Sequence, residues 1–346
     1  MRIAMTLALL LALLTSVSAQ ETVVTLITHD SFAIGEDVLA EFTESTGIQV
    51  EILQSGDAGE MLNKAILSRG NPLGDVLFGV DNSFLSRALS NDIFLPYESP
   101  LLEQVPQQFQ MDDQFRVTPI DYGDVCLNYD VAWFDEQELA LPESLSDLAE
   151  PEYRGLLVVE NPATSSPGLS FMLATIGVFG TEGETTWLDF WSQLVENEVR
   201  VVSGWELAYW GEFSHSGGEY PLVVSYASSP PAEVFFMEDT PERAPTGAIV
   251  ADQTCFRQIE FAGILDGSEQ VEAAQQLIDF MLDTRFQEDI PLQMFVFPVN
   301  QEAELPDVFV EYAQVAEVPA VVSPEDIDAM RETWIQAWTE TVLRGG

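Results

Sequence analysis

Three short apolar runs near the start of the chain, each closed by a turn and followed by a helix-patterned segment, set its architecture. Thr22–Ile27 is a β-branched strand that ends at Thr28-His29-Asp30-Ser31-Phe32, before a helical Glu36–Thr46. Gly47 stops that helix as a left-handed cap, and Ile48–Leu53 is the second strand. The small-residue turn Gln54–Gly59 opens a helix through Met61–Ser68. Gly74–Gly79 is the third strand, running into Val80-Asp81-Asn82 and a helix at Phe84–Leu89. Such alternation specifies an α/β fold with mostly parallel sheets flanked by helices. In sheets of this kind ligands sit at the carboxyl ends of the strands.

A chain of 346 residues exceeds one compact core and suits two lobes. The extended run Tyr122–Asp130 reads as a crossing from one lobe to the other, and Gly155–Val159 as the first strand beyond it. Thr254–Ile264 alternates apolar and polar residues like a strand returning to the first lobe. The expected division is residues 20–120 plus 252–300 for lobe 1, and 121–251 plus 301–346 for lobe 2. Val271–Asp283 is an amphipathic helix continued by Phe286–Asp289. Pro291–Val299 reads as a loop or strand, and Ser323 caps a tail helix over Pro324–Leu343.

Arg2, the apolar run Ile3–Leu14 and small residues at 17–19 form a Sec leader, residues 1–19, cut before Gln20. An exported, periplasmic or extracellular protein follows. In an oxidising compartment the two cysteines, Cys126 and Cys255, are expected as a disulfide, with two separate buried thiols the alternative. Closing so long a loop stabilises by roughly 4–5 kcal/mol in the chain-entropy model. The pair falls on the outward and return strands, where it would tie a hinge.

The 58 acidic residues against 12 basic ones give a formal net charge of −46, which excludes nucleic acid as a partner. A surface this acidic, with Lys64 its single lysine, fits a salty habitat and favours a cationic ligand. No nucleophile motif, phosphate loop or dinucleotide fingerprint is present, and the two histidines, His29 and His215, stand far apart in sequence. No enzyme activity, cofactor or metal site is expected, and the protein is expected to be a monomer.

Binding chemistry concentrates in Val201–Pro230. Val201-Val202 ends at Gly204 with Trp205 beyond it, Glu206–Phe213 reads as a short helix, and Pro221–Ser225 ends in Tyr226. Two aromatics at two adjacent strand ends are placed to overhang a cleft, core packing being the alternative. Asp57 starts a helix and reads as its N-cap or as a ligand carboxylate. Ser165, in the Thr/Ser cluster before the helix Leu169–Phe179, reads as a cap or as a polar contact at the helix's positive end. Trp187 and Trp191, spaced i,i+4 on Thr186–Val195, read as core.

These segments together resemble the type II periplasmic solute-binding proteins, and within them the thiamine-binding branch. The resemblance runs in order through THDSF (28–32), GDAG (56–59), DVLFGVDN (75–82), PIDYG with NYD (119–130) and ATSSPGL (163–169). It continues through SGWELAYWGEF (203–213), VVSYASSP (223–230) and FPVN (297–300). It implies a two-lobed periplasmic-binding fold with a cleft between lobes, and a receptor that delivers its ligand to the membrane permease of an ABC importer. Thiamine is the implied ligand, its phosphates remaining open, with a polyamine or other small cation, or ferric iron, as alternatives. The implied contacts are Asp57, Ser165, Trp205 and Tyr226. His29 stands in place of the family's aromatic after the first strand, and Phe295 in place of its late-loop tryptophan. Ala232 and Ala163 replace a family tyrosine and arginine.

Overall fold

A computed structural model describes residues 22–237 and 241–345; the leader expected at 1–19 lies outside them. Among the described residues eleven strands join one sheet. They are β1 (Thr22–Thr28), β2 (Ile48–Gln54), β3 (Val76–Asp81), β4 (Phe94–Leu95), β5 (Thr118–Asp130) and β6 (Leu157–Glu160). The others are β7 (Arg200–Val202), β8 (Leu222–Tyr226), β9 (Thr246–Ile249), β10 (Phe256–Leu265) and β11 (Phe297–Pro298). The main path runs β2-β1-β3-β10-β5-β8-β6-β7, with β4, β9 and β11 pairing off it.

Each end of this path is parallel: β2-β1-β3 on one side, β8-β6-β7 on the other. The centre is antiparallel, because the chain leaves the first half on β5 and returns on β10. Cys126 on β5 and Cys255, just before β10, form a disulfide across this centre. β5 begins against β10 and β11 and ends against β8 and β9, so one strand carries the chain between the halves. Buried apolar side chains follow the sheet through both halves, from Val24 and Phe78 to Leu157 and Leu222.

Several local expectations are refined. β7 and β8 are not adjacent: the connection between them passes back over β6, which lies between. Residues 207–212 form a π-helical turn, closed by Phe213 N–H donating to the Ala208 carbonyl five residues earlier (3.0 Å). The helix at Val271–Leu282 stops at Asp283, whose carboxylate accepts from Arg285 N and starts Thr284–Gln287. Residues 290–293 are a helical turn begun by Pro291, ahead of β11. The tail helix Pro324–Trp338 touches both halves, with Trp338 against Trp191 and Arg331 over the Phe84 ring. No helix among the described residues is long and apolar enough to cross a membrane.

Candidate functional site

A cavity of about 550 Å³ opens where the carboxyl ends of β1, β2, β7 and β8 face one another, within the range of small-molecule sites. Each wall follows from its own stretch of chain. β1 hands over to His29, which lies so close to the backbone of β3 that any side chain at Gly79 would strike it; φ of +101° there also calls for glycine. Beyond β2, Asp57 caps the helix Ala58–Leu67: Oδ1 accepts from Ala58 N at 2.7 Å. Its Oδ2 accepts from Trp205 N at 3.3 Å, so a single carboxylate ties the two halves together. The approach needs Gly204, where a Cβ would stand 2.8 Å from that oxygen.

Trp205 leaves β7 half-buried, with its indole N–H donating to Ser225 Oγ at 2.9 Å. Its ring stacks on Tyr209 (centroids 5.0 Å, 18° between planes) and meets the edge of Tyr226 at 6.5 Å. The π-helical turn places Tyr209 beneath the indole while Trp210 stays exposed beside it. Tyr226 donates from its hydroxyl to Gln258 Oε1 at 3.2 Å. Burial, reinforced by Glu260 and Asp81, pushes that phenol well above its ordinary pKa, so it remains a neutral donor.

Across the mouth, Phe235 and Phe236 from one half meet Phe295 from the other at 6.4 and 6.1 Å between centroids. Ser31 Oγ donates to Glu206 Oε1 at 3.0 Å on the same rim.

The electrostatics are those of a cation site. Asp30, Asp57, Glu60, Glu206 and Glu260 line the cavity, and among the described residues no lysine or arginine does. Burial favours neutral His29, but Glu260, 3.6 Å away, with Asp57 and Asp30 beyond, outweighs it and raises the imidazole above its usual 6.5. Burial likewise raises Asp57 above its usual 3.8, held back by the Ala58 amide, His29 and the Trp205 amide. Among the described residues no group of three or more His, Cys, Asp or Glu side chains is gathered to hold a metal ion.

Of the residues expected from sequence, His29, Asp57, Trp205, Tyr226 and Phe295 line this cavity. Ser165 does not: it is fully buried behind the Asp57 carboxylate, and the wall position belongs to Ser166. The cause is the helix start, which comes at Ser166 rather than Leu169 and leaves Ser165 as an extended cap residue. Ser166 instead donates its hydroxyl to Asp81. Glu260 and Phe236 were not anticipated. Glu260 left only a weak trace, an acid in the middle of the buried run FRQIEFAGIL.

A family profile described as bacterial extracellular solute-binding protein matches residues 71–318. The thiamine-binding periplasmic protein of Salmonella typhimurium is 29% identical over 342 residues, covering 97% of this chain and 98% of its own. An iron uptake protein A1 of Synechocystis is 24% identical, over 76% of this chain and 72% of its own. Among solved structures, a periplasmic thiamin binding protein superposes with a TM-score of 0.81 at 26% identity, covering 94% of this chain and 98% of that one.

Proposed function

Since the chain belongs to the bacterial extracellular solute-binding proteins, we propose that it captures thiamine outside the cytoplasm and presents it to the membrane permease of an ABC importer. The fold is the two-lobed, type II periplasmic-binding one, a frame built to enclose small solutes. The observation that carries the ligand reading is the Trp205 indole, backed by Tyr209 and edged by Tyr226, with the Asp57 carboxylate on its own amide. A flat heteroaromatic cation is what such a wall attracts: the ring stacks, and its charge interacts with π faces and carboxylates. The thiamine-binding relative matches more of this chain, at higher identity, than the iron-uptake one.

The division into residues 20–120 plus 252–300 and 121–251 plus 301–346 forms part of this reading. β5 and β10, tied by Cys126–Cys255, are the pivot, and closure brings Asp57 and His29 toward Trp205 and Tyr226. No bond of the ligand is made or broken. The five acidic residues on the wall and the absence of lysine or arginine among the described lining residues favour thiamine over its phosphate esters. The same carboxylates favour a second reading, a polyamine.

Calorimetric titration with thiamine, thiamine monophosphate, spermidine and ferric citrate separates these. Thiamine is expected to bind at least about tenfold more tightly than its monophosphate, a difference of about 1.4 kcal/mol. Spermidine binding with thiamine silent would install the polyamine reading. Heat from ferric citrate alone would overturn both.

A further inference from the structure

Glu260 stands at the middle of β10, directly paired in the sheet with Asp81 of β3 on one side and Asp121 of β5 on the other. Directly opposed residues of antiparallel strands share a sheet face with their Cβ atoms about 5 Å apart. Three carboxyl groups therefore form one row across the centre of the molecule. Glu260 is the member that lines the cavity. Asp81 and Asp121 are essentially sealed from solvent, at 0% and 1% exposure.

The hydrogen bonding within the row is uneven. Asp81 is served by the Ser83 amide at 2.6 Å and by the hydroxyls of Ser83 and Ser166. Neither oxygen of Asp121 has a hydrogen-bond partner. A buried carboxylate with no donor, beside a second carboxylate, is about the least favourable state an acid can occupy. A proton shared between the two relieves both problems at once, as in paired acids generally.

The groups facing the row are few. His29 approaches Glu260 at 3.6 Å, with Asp57 and Asp30 behind it. Tyr226 faces Glu260 and Asp81 as a neutral phenol, and Arg331 faces Asp81 from the tail helix. These cations do not reach Asp121, whose carboxyl burial and Glu260 push well above its usual range. Burial likewise raises Asp81 to about 6.

We propose that the Asp81–Glu260–Asp121 row holds a proton in the empty receptor and releases it when a cation enters the cleft, so that ligand capture is coupled to deprotonation. The step balances simply. A carboxylic acid of the row becomes a carboxylate facing the ligand's positive charge, and the proton leaves through the cavity to buffer. Glu260 is thereby the member of the row that meets the ligand, while its two sealed neighbours are never touched by it. The inference rests on the cation reading above.

Two measurements on the full mature protein test it. In infrared spectra, the ligand-free protein at neutral pH should show the carbonyl band of a buried protonated carboxyl. Thiamine should diminish it, and Asp121→Asn should remove the part that responds to thiamine, leaving the band of Glu160, which is likewise buried without a partner. In calorimetry, the heat of thiamine binding at pH 7 should vary with the ionisation heat of the buffer, by about half a proton more in wild type than in Asp121→Asn. Taking the difference cancels any proton exchanged by thiamine's own pyrimidine. Glu260→Gln should lose the same proton and bind about tenfold more weakly.

Absence of the carboxyl band in the wild-type protein would overturn the proposal without any variant. Equal proton counts in wild type and both variants, with thiamine bound, would overturn it while leaving the receptor reading intact. A band that is present in a protein indifferent to thiamine would end the receptor reading, and the coupling with it.

Discussion

Trp191 and Trp205 are the same side chain put to two uses. Trp191 is 1% exposed and is edged by Phe171, Phe190 and Trp338, its N–H given to Thr175 Oγ1 at 3.0 Å. Trp205 also has its N–H satisfied, by Ser225, and also sits among aromatics. The difference is that Trp205 borders a cavity and has a carboxylate on its own backbone amide. Hydrogen bonding and aromatic company therefore do not separate a structural indole from a recognition one. What separates them is whether one side is left for a guest, and whether charge is arranged nearby to choose that guest.

The largest test of this contrast is Trp191→Ala, which should cost about 3–5 kcal/mol of unfolding free energy. Denaturant melts would show it, and whatever protein stays folded should bind thiamine normally. Trp205→Ala should do the reverse, weakening thiamine about 100-fold (2–3 kcal/mol) with only a small change in the melt. If both substitutions moved stability alike and binding alike, the contrast would collapse.

Gly204→Ala sharpens it further by leaving the indole in place and displacing only Asp57. A loss of about tenfold in affinity is expected, read by titration. The smallest effect concerns protons. Asp81 is raised to about 6 from 3.8, so its contribution to stability is full below about 3.8 and is lost as pH rises through about 6. Going from pH 5 to 7.5, Asp81→Asn should therefore gain roughly 1 kcal/mol on wild type. Trp191→Ala should show no comparable drift in urea melts at the two pH values.

The parts of the site legible in sequence are those set by local chain geometry. Trp205 and Tyr226 follow strand ends, Asp57 opens a helix and His29 follows β1, and each of those boundaries is written in a few neighbouring residues. The parallel flanks were legible for the same reason, through apolar runs punctuated by turns. The row centred on Glu260 was not, because it exists only through the register of β3, β10 and β5. Those strands bring together residues 81, 121 and 260, and no local pattern encodes that pairing. Ser165 shows how fine the limit is. A helix that begins three residues early, at Ser166 instead of Leu169, exchanged which of two adjacent serines reaches the cavity. The mouth phenylalanines Phe235 and Phe236 sit in a segment whose periodicity gave no signal, and their meeting with Phe295 depends on how the halves come together.

The widened turn at Leu207–Glu212 makes chain length itself an element of selectivity. Its i→i+5 bond accommodates one residue more than an ordinary helical turn, and Tyr209 beneath the Trp205 indole lies within that surplus. Losing one residue there would restore regular winding and swing everything downstream by about 100°. A change of length in this single turn would thus reshape the 207–210 stretch of the wall with no substitution in the lining.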